Sequence, residues 1–223
     1  MLLDNIFWHA LVGPHAKYAV GAGNARRYAP GFSPIVGFAD ADRPDFDALT
    51  PYCSPGEHFY CGGWAGPMPG HWRIEVEATM YCMAWHGAVP AADELSGIVR
   101  LGPEHALQAL ELATLTNPGP FGPRTTELGE YFGCFAGRQL VAMAGERMHA
   151  GTLREVSGVC THPDFRGRGL ARRLMNLVIA RQLRRGETPF LHVMSDNTSA
   201  HQLYERMGFR DYRQPVVRII SLR

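Results

Sequence analysis

Hydrophobic and polar positions follow two different spacings along this chain, and the change between them predicts where strands and helices lie. Residues 72–78 alternate apolar and polar side chains, a period of two that predicts a half-buried strand. Residues 170–185 instead carry apolar side chains at a spacing close to 3.6, with arginines on the other face, which predicts an amphipathic helix. We therefore expect a fold of the α/β class.

The two halves of the chain differ in how regular this pattern is. The first ninety residues are rich in glycine, proline and aromatic residues, and predict a short helix over 42–49 and a short strand over 58–61. From Gly97 onward, strands and helices follow one another regularly. The strands are expected at 98–101, 131–136, 139–149, 153–161, 189–194 and 212–222, the last as a strand or hairpin, and the helices at 103–115, 170–185 and 198–207.

Composition and charge narrow the class of protein. Hydrophobic residues make up 46% of the chain and charged residues 19%, as in ordinary globular proteins. A formal net charge of +1 provides no overall field to recruit a nucleic acid or an anionic membrane, so neither is expected as a partner. The start of the sequence lacks the basic region of a signal peptide, and no apolar run is long enough to span a membrane. We expect a cytoplasmic protein.

The number of cysteines also favours a cytoplasmic protein. Five cysteines, an odd number without close pairing, suit a reducing compartment better than a disulfide framework. The nearest approach to a metal-ligand cluster is Cys53, His58, Cys61 and His71, whose spacing matches none of the usual zinc patterns. We expect no metal.

One segment carries recognisable chemistry. A strand ends near Pro163, and the chain re-enters a helix through Arg166-x-x-Gly169-x-Ala171. Glycines let backbone N–H groups approach a ligand closely, and the positive end of the helix dipole favours an anion there, so the turn suits a pyrophosphate. The segment is neither a Walker loop nor a dinucleotide fingerprint, because the residues that define those motifs are missing.

A second segment follows about thirty residues later: an apolar strand, Asn197, Tyr204 and then Gly208-Phe209. In this order, the two segments resemble the GNAT superfamily of N-acetyltransferases over residues 97–223. The resemblance implies a mixed, mostly antiparallel sheet, flanked by helices, whose central strands 153–161 and 189–194 splay apart to admit acetyl-CoA. We accordingly divide the chain into an N-terminal region, 1–92, which covers the acceptor side, and a GNAT domain, 93–223.

The resemblance also implies which residues bind the co-substrate. Backbone groups of the first splayed strand would bind the pantetheine arm, as an edge strand binds a peptide, and amides of the glycine turn would hold the pyrophosphate. Asn197 would contact the arm, although its position also suits the cap of the next helix. The implied acetyl-CoA site consists of Val159, Cys160, Thr161, Arg166, Gly167, Arg168, Gly169, Leu170, Ala171 and Asn197.

Acetyl transfer to an amine needs an acid and a base. Tyr204 is the acid that the resemblance implies. For the base we favour Glu155, because a period of two places it on the same strand face as Val159 and Thr161, and because it precedes Arg166 by eleven residues, as the catalytic glutamate does in histone-modifying GNAT proteins. Glu146, Glu127 and water remain alternatives for the base, and Glu155 could instead be a structural residue that faces water or pairs with Arg154 or Arg147. His192 is a weaker candidate, and Cys160, expected on the opposite face from Glu155, is interpreted as a buried thiol.

Three functions fit these observations. The first is transfer of an acetyl group from acetyl-CoA to the primary amine of a small molecule or amino acid, with the N-terminal region beside the acceptor. The second is acetylation of a protein lysine or N-terminus, and the third is acyl-CoA sensing without turnover. The proline- and glycine-rich stretch 117–124 suits a closed pocket and favours the first. The acceptor stays unidentified, a homodimer stays open, and residues 1–92 could be a degenerate copy of the same fold.

Overall fold

A computed structural model describes residues 1–90 and 97–223 of the chain. In this described part the helices are α1 (Ile6–Val12), α2 (Phe46–Leu49), α3 (Ala106–Thr116), α4 (Leu170–Arg184) and α5 (Thr198–Met207). The strands are β1 (Ala19–Val20), β2 (Ala25–Tyr28), β3 (Ile35–Phe38), β4 (His58–Gly62), β5 (Trp72–Trp85), β6 (Ile98–Leu101), β7 (Tyr131–Ala136), β8 (Gln139–Ala150), β9 (Leu153–Thr161), β10 (Thr188–Met194), β11 (Phe209–Arg213) and β12 (Val216–Leu222).

The strands form one mixed sheet in the order β1-β2-β3-β4-β12-β5-β10-β9-β8-β7-β6, and β11 pairs with β5 off this path. The expected α/β class and mixed sheet are confirmed. β5 comes from the first half of the chain, yet it lies between β10 and β12, both from the second half. The expected boundary between residues 92 and 93 falls among residues 91–96, outside the described residues, and the division into two regions stays a prediction.

Helices cover both faces of the sheet. On one face, α4 buries Leu174, Met175 and Val178 against strands β7 to β10, as the 3.6 spacing predicts. On the other face, α1 packs Phe7 against a cluster that includes Phe190 of β10. Side chains that alternate along β10 therefore point into two different cores. None of the described helices has the length and apolar character of a membrane span.

The two central strands separate. β9 and β10 are parallel and pair only from Thr188 opposite Leu153 to Phe190 opposite Glu155. Beyond these pairs, β9 continues to Thr161 and β10 to Met194 without further pairing between them. This confirms the expected splay.

Two β-bulges interrupt the pairing of β8 with β9. Ser157 lies opposite Gly145 and Cys160 opposite Met143, so β9 has one residue too many in between, at a position where Gly158 adopts φ +62°. Because Gly145 and Met143 share one face of β8, Ser157 and Cys160 share one face of β9. The expectation that Cys160 faces away from Glu155 is therefore wrong, since the bulge breaks the period of two.

The second bulge lies on β8. Glu146 pairs with Val156 and His149 with Arg154, so that Arg147 and Met148 both lie opposite the single residue Glu155. A bulge of this kind redirects side chains and frees backbone groups. Here it places Arg147 beside Glu155.

Candidate active site

The turn between β9 and α4 is shaped for an anion. Gly167 and Gly169 have φ angles of +76° and +73°, a conformation that favours glycine, and a Cβ at either position would meet nothing within 4 Å. The turn is therefore open to whatever approaches it. Gly169 is the N-cap of α4, and the N–H groups of a first helical turn have no acceptor within the helix. The open turn and these unpaired donors form the start of a cleft.

This cleft has a volume of about 840 Å³ and lies between the end of β9 with the turn that follows it and the first part of α5. All the residues expected to bind acetyl-CoA line it, and so does Tyr204. Their roles stay predictions, but the structure brings them together. The remaining lining residues, which were not among those expected to bind acetyl-CoA, are Thr116, Asn117, Pro118, Phe165, Arg172, Ser199, Ala200 and Leu203.

Basic side chains stand around the glycine turn. Arg166, Arg168 and Arg172 all line the cleft, and the Arg168 guanidinium lies over the Phe165 ring at 4.8 Å from its centroid. The local positive charge is therefore high in a chain whose net charge is close to zero. A polyanion such as CoA would meet these guanidinium groups together with the helix N-terminus.

Asn197 lies between β10 and α5, immediately before the first residue of α5. Its side-chain Oδ1 accepts hydrogen bonds from the Ala200 amide and from the Ser199 hydroxyl, each at 3.2 Å. It is thus the N-cap residue of α5, as its residue type favours. It also lines the cleft, so the capping role and the expected contact with the co-substrate are compatible.

Tyr204 lies on the buried side of α5, with its ring against Phe209 in an edge-to-face arrangement. Burial, and secondarily Cys160, raise the pKa of the phenol to about 12. Its hydroxyl has no hydrogen-bond partner among the described residues and faces the cleft. A neutral phenol with an unused O–H can donate a proton to a group bound there.

Glu155 lies in a fully enclosed ionic cluster. Arg147 donates to its carboxylate from Nε and Nη2 at 2.9 and 2.7 Å, the Met148 amide donates at 3.3 Å, and His192 Nδ1 lies 2.8 Å from Oε1. Glu155 is 1% exposed and lines neither the cleft nor the cavity described below. Burial alone would raise the pKa of this carboxyl, but Arg147 and His192 outweigh burial and lower it to about 2. Such a carboxylate holds protons weakly.

The two alternative carboxylates lie elsewhere. Glu146 is buried and bound by Arg185. Glu127 is bound by Arg124 through two hydrogen bonds of 2.8 and 2.7 Å. Neither lines the cleft, so neither is placed to contact an acceptor bound there.

A second cavity, which we call the acceptor cavity, continues from the cleft. It has a volume of about 430 Å³, and five residues line both spaces and so mark the junction: Asn117, Pro118, Val159, Asn197 and Tyr204. Most of its other lining residues are apolar, and several come from the first half of the chain, among them Phe7, Ile35 and Met80. The first half of the chain therefore forms part of the site.

Among the described residues, the acidic and basic side chains that line the acceptor cavity are those of Arg147, His192 and Asp196. Burial by itself lowers the pKa of His192, but Cys82 and Glu155 outweigh burial and raise it to about 9. Sequence reasoning named Arg147 only as one possible ion-pair partner of Glu155 and did not place it in the site, because its position depends on the bulge on β8. It treated His192 as a weak candidate, since a histidine in an apolar strand carries no signal of its partner.

Metal ligands are not gathered in the part of the chain that the structure describes: no three His, Cys, Asp or Glu side chains there could hold an ion together. The residues around the cleft are glycine amides, arginines, an asparagine and a tyrosine. This donor set suits a phosphate-bearing ligand and a reacting carbonyl.

Comparisons with known proteins agree on one family. The family model for FR47-like protein matches residues 131–217. A solved structure from Novosphingobium aromaticivorans, assigned to the GNAT family of acetyltransferases, is 35% identical over 100% of this chain and 99% of its own, with a TM-score of 0.89. A search of curated protein sequences finds no significant match.

Two more distant structures show the same fold. A GCN5-related N-acetyltransferase-like protein from Streptococcus suis is 16% identical over 98% of this chain and 92% of its own, with a TM-score of 0.59. An acetyltransferase of the GNAT family from Colwellia psychrerythraea is 15% identical over 66% of this chain and 58% of its own, with a TM-score of 0.52.

Proposed function

The chain belongs to the GNAT family of acetyltransferases, and from this premise we propose that it transfers an acetyl group from acetyl-CoA to the primary amine of a small molecule. The observation that carries this proposal is the junction of two spaces at Tyr204. One is a cleft with an anion-binding turn, and the other is a mostly apolar cavity that reaches into the first half of the chain. The junction is where the thioester and an amine would meet.

The cleft suits CoA on its chemistry. The open turn at Gly167 and Gly169 offers helix N-terminal amides to the pyrophosphate, and Arg166, Arg168 and Arg172 supply positive charge nearby. Along β9, the edge beyond Glu155 has lost its pairing with β10 and is free to bind an extended arm. Val159, Thr161 and Asn197 keep their expected roles in this proposal.

The reaction is a direct transfer. The amine nitrogen attacks the thioester carbonyl carbon, the N–C bond forms, and the C–S bond breaks as the thiolate leaves. Counted from the free amine, the nitrogen loses one proton and the thiolate gains one; an acceptor that arrives as an ammonium loses one further proton before it attacks. Tyr204 is the proposed donor to the thiolate, because its raised pKa keeps the phenol protonated at neutral pH and its hydroxyl is free.

The proton from the amine needs a different route from the one the sequence suggested. An alkylammonium has a reference pKa of about 10.4, so the acceptor arrives mostly protonated. In our proposal the proton passes to water in the cleft, and Glu155 acts as a positioning residue that holds Arg147 and His192 at the cavity. A direct role of Glu155 as the base stays a prediction, and its enclosure by Arg147 and His192 argues against that role.

A small acceptor fits the cavity better than a protein chain does. A volume of about 430 Å³ is within the usual range of sites for small molecules. Its walls come from α1, β3, β4, β5 and β12 on one side and from the loop after α3 on the other. We therefore place the acceptor amine on a compact, largely apolar molecule.

The test is an acetyl-CoA turnover assay that detects the free thiol of CoA with a panel of small amines and lysine-containing peptides. We expect thiol release with small amines, and formation of the N-acetyl product by mass spectrometry. Thiol release only with lysine-containing peptides would indicate that the protein acetylates proteins instead of small molecules. CoA binding by calorimetry without turnover on any amine would indicate a sensor and overturn the proposal.

A further inference from the structure

The acceptor cavity has an electropositive end built from buried groups. Arg147 and His192 line it, whereas the carboxylate that both of them contact, Glu155, does not. Two cationic groups thus share one anion, and only the cationic groups face the cavity. Cys82 and Glu155 raise the pKa of His192, which favours the protonated ring. Arg147 is cationic in either state of His192.

Arg147 retains hydrogen-bonding capacity. A guanidinium has five N–H donors. Three are used here: Nε and one on Nη2 donate to Glu155, and one on Nη1 donates to the Pro120 carbonyl at 3.3 Å. The two remaining donors have no partner among the described residues. The Arg147 side chain is only 8% exposed, so these donors can be satisfied only from the cavity.

Tyr60 adds a third polar group at the same cavity. It lines the space, and its phenol is close enough to Arg147 to feel the guanidinium charge, which partly opposes the rise in its pKa caused by burial. Its hydroxyl makes no hydrogen bond to any residue within 1–90 or 97–223. Tyr60 is half-buried, so its hydroxyl is open to a group bound in the cavity. An anionic ligand would satisfy both the guanidinium and the phenol.

The cavity also has a direction. Asp196 lines it directly before Asn197, one of the residues that mark the junction with the cleft. Asp196, Arg147 and His192 all line the cavity and not the cleft, but of the three Asp196 alone adjoins a junction residue in the chain. An exposed carboxylate therefore lies close to the junction, where an ammonium would arrive, and Arg147 and His192 lie farther from it along their strands. Between them the walls are apolar, with Phe7, Met80 and other side chains.

From this arrangement we infer that the acceptor is an apolar amine that also carries a carboxylate, as an apolar amino acid does, with its carboxylate bound by Arg147 and Tyr60 beside His192. The inference rests on the proposed function and narrows its substrate class. Arg147 would bind the carboxylate through its two unused donors, and Asp196 would attract the ammonium. An uncharged or purely cationic amine would leave the buried guanidinium donors unpaired.

The first experiment compares matched acceptors on the unaltered enzyme. Phenylalanine, leucine and methionine are each offered beside the primary amide and the decarboxylated amine of the same skeleton, with acetyl-CoA and thiol detection. We expect kcat/KM for the acids to exceed that of their partners by about 10- to 100-fold. The amine of each amide is less basic than that of the acid, so more of it is present as the reactive free amine at neutral pH. Basicity alone would therefore favour the amides, which is opposite to the expected preference. Equal or higher kcat/KM for the amides overturns the inference.

The second experiment changes Arg147. Arg147→Lys keeps a positive charge beside Glu155 but loses the planar array of donors. We expect kcat/KM for the acids to fall by about tenfold or more, with little change for the amides. Arg181→Lys is the matched control, because Arg181 also binds a glutamate through two hydrogen bonds, of 2.8 and 2.9 Å to Glu130, but lines neither space. An equal loss for acids and amides in Arg147→Lys contradicts carboxylate binding.

A binding measurement separates failure of this inference from failure of the proposed function. With CoA-saturated wild-type protein, calorimetry should show N-acetylphenylalanine binding at least about tenfold more tightly than N-acetylphenylalaninamide. Equal binding, or no binding of either, overturns the carboxylate site. If the acid binds selectively but no amine is acetylated, the carboxylate site stands and the proposed acetyl transfer fails.

Discussion

The buried cluster of Arg147, Glu155 and His192 makes a quantitative prediction for Glu155→Gln. The cluster lowers the pKa of the Glu155 carboxyl from 4.5 to about 2, even though burial acts in the opposite direction. A difference of one pKa unit corresponds to about 1.4 kcal/mol, so the ionised carboxylate contributes about 3 kcal/mol to the free energy of unfolding at pH 7. Because the folded-state pKa is the lower one, this contribution is present above pH 4.5 and is lost as the pH falls toward 2.

Urea unfolding followed by tryptophan fluorescence measures this contribution. The difference in free energy of unfolding between wild type and Glu155→Gln should be about 3 kcal/mol at pH 7 and roughly half of that at pH 3. Other carboxylates also titrate in this range, but they do so in both proteins and cancel in the difference. Glu127→Gln, which removes an exposed partner of Arg124, should change stability little at either pH. A Glu155→Gln difference that is the same at both pH values would refute the reasoning, because lost packing does not titrate.

The same variant also distinguishes a base from a positioning residue. If Glu155 accepted the amine proton, the kcat/KM of Glu155→Gln would fall at pH 7 and recover partly at higher pH, where the amine loses its proton without help. If Glu155 positions Arg147 and His192, the fall should persist across the pH range and be larger for acceptors with a carboxylate. We expect the second result.

Three further variants test the cleft. Tyr204→Phe should lower kcat by about 10- to 100-fold with little loss of stability, because the ring and its packing are kept; an unchanged kcat would mean that water protonates the thiolate. Gly169→Asp should abolish CoA binding in calorimetry while circular dichroism shows a folded protein, since it places an anion at the anion-binding turn; unchanged affinity would reject this site. Gly158→Ala should lower the free energy of unfolding, in urea titrations, by about 1 to 3 kcal/mol more than Gly167→Ala does. Both glycines have positive φ, but only the added Cβ at Gly158 meets another side chain, that of Tyr131 at 2.8 Å; equal losses would show that the bulge can relax.

Local signals in the sequence were sufficient to predict the second half of the fold. The helix expected over 198–207 is observed at those residues, because Asn197 caps its start and Gly208 ends it with φ +119°. The strand over 153–161 is likewise observed as expected, between the turn at Gly151 and the break at Pro163. Where capping residues, glycines and prolines mark both ends of an element, the sequence carries its bounds.

The first half of the chain was harder because its elements depend on distant partners. A strand was expected over 72–78, and β5 continues to Trp85. Its second part, buried between β10 and β11, has no polar alternation to show that it is a strand. Helix α2 is shorter than expected. The Asp45 side chain accepts a hydrogen bond from the Ala48 amide and caps the helix, so its first residue is Phe46. Helix α1 was not anticipated.

The site divides in the same way. The glycine turn and Tyr204 belong to motifs that can be recognised in the sequence, and the structure brings them to one cleft. The surroundings of Glu155 could not be predicted, because the two bulges that set them shift the register by one residue each. A period of two predicted that Glu155 lies beside the thioester, whereas in the observed register its carboxylate accepts hydrogen bonds from Arg147.

Strand β5 explains why the split between β9 and β10 stays open and why the acceptor cavity lies where it does. The edge of β10 that faces away from β9 pairs with β5 at every residue from Phe190, opposite Ala84, to Met194, opposite Met80. At Phe190, β10 still pairs with both β9 and β5, and beyond it β10 stays paired with β5 alone, so β5 sets the path along which β10 leaves β9. The same strand then presents Met80, Ala78 and Val76 to the acceptor cavity. One strand from the first half of the chain thus fixes the co-substrate cleft and a wall of the acceptor cavity together, so a change in the register of β5 should alter both.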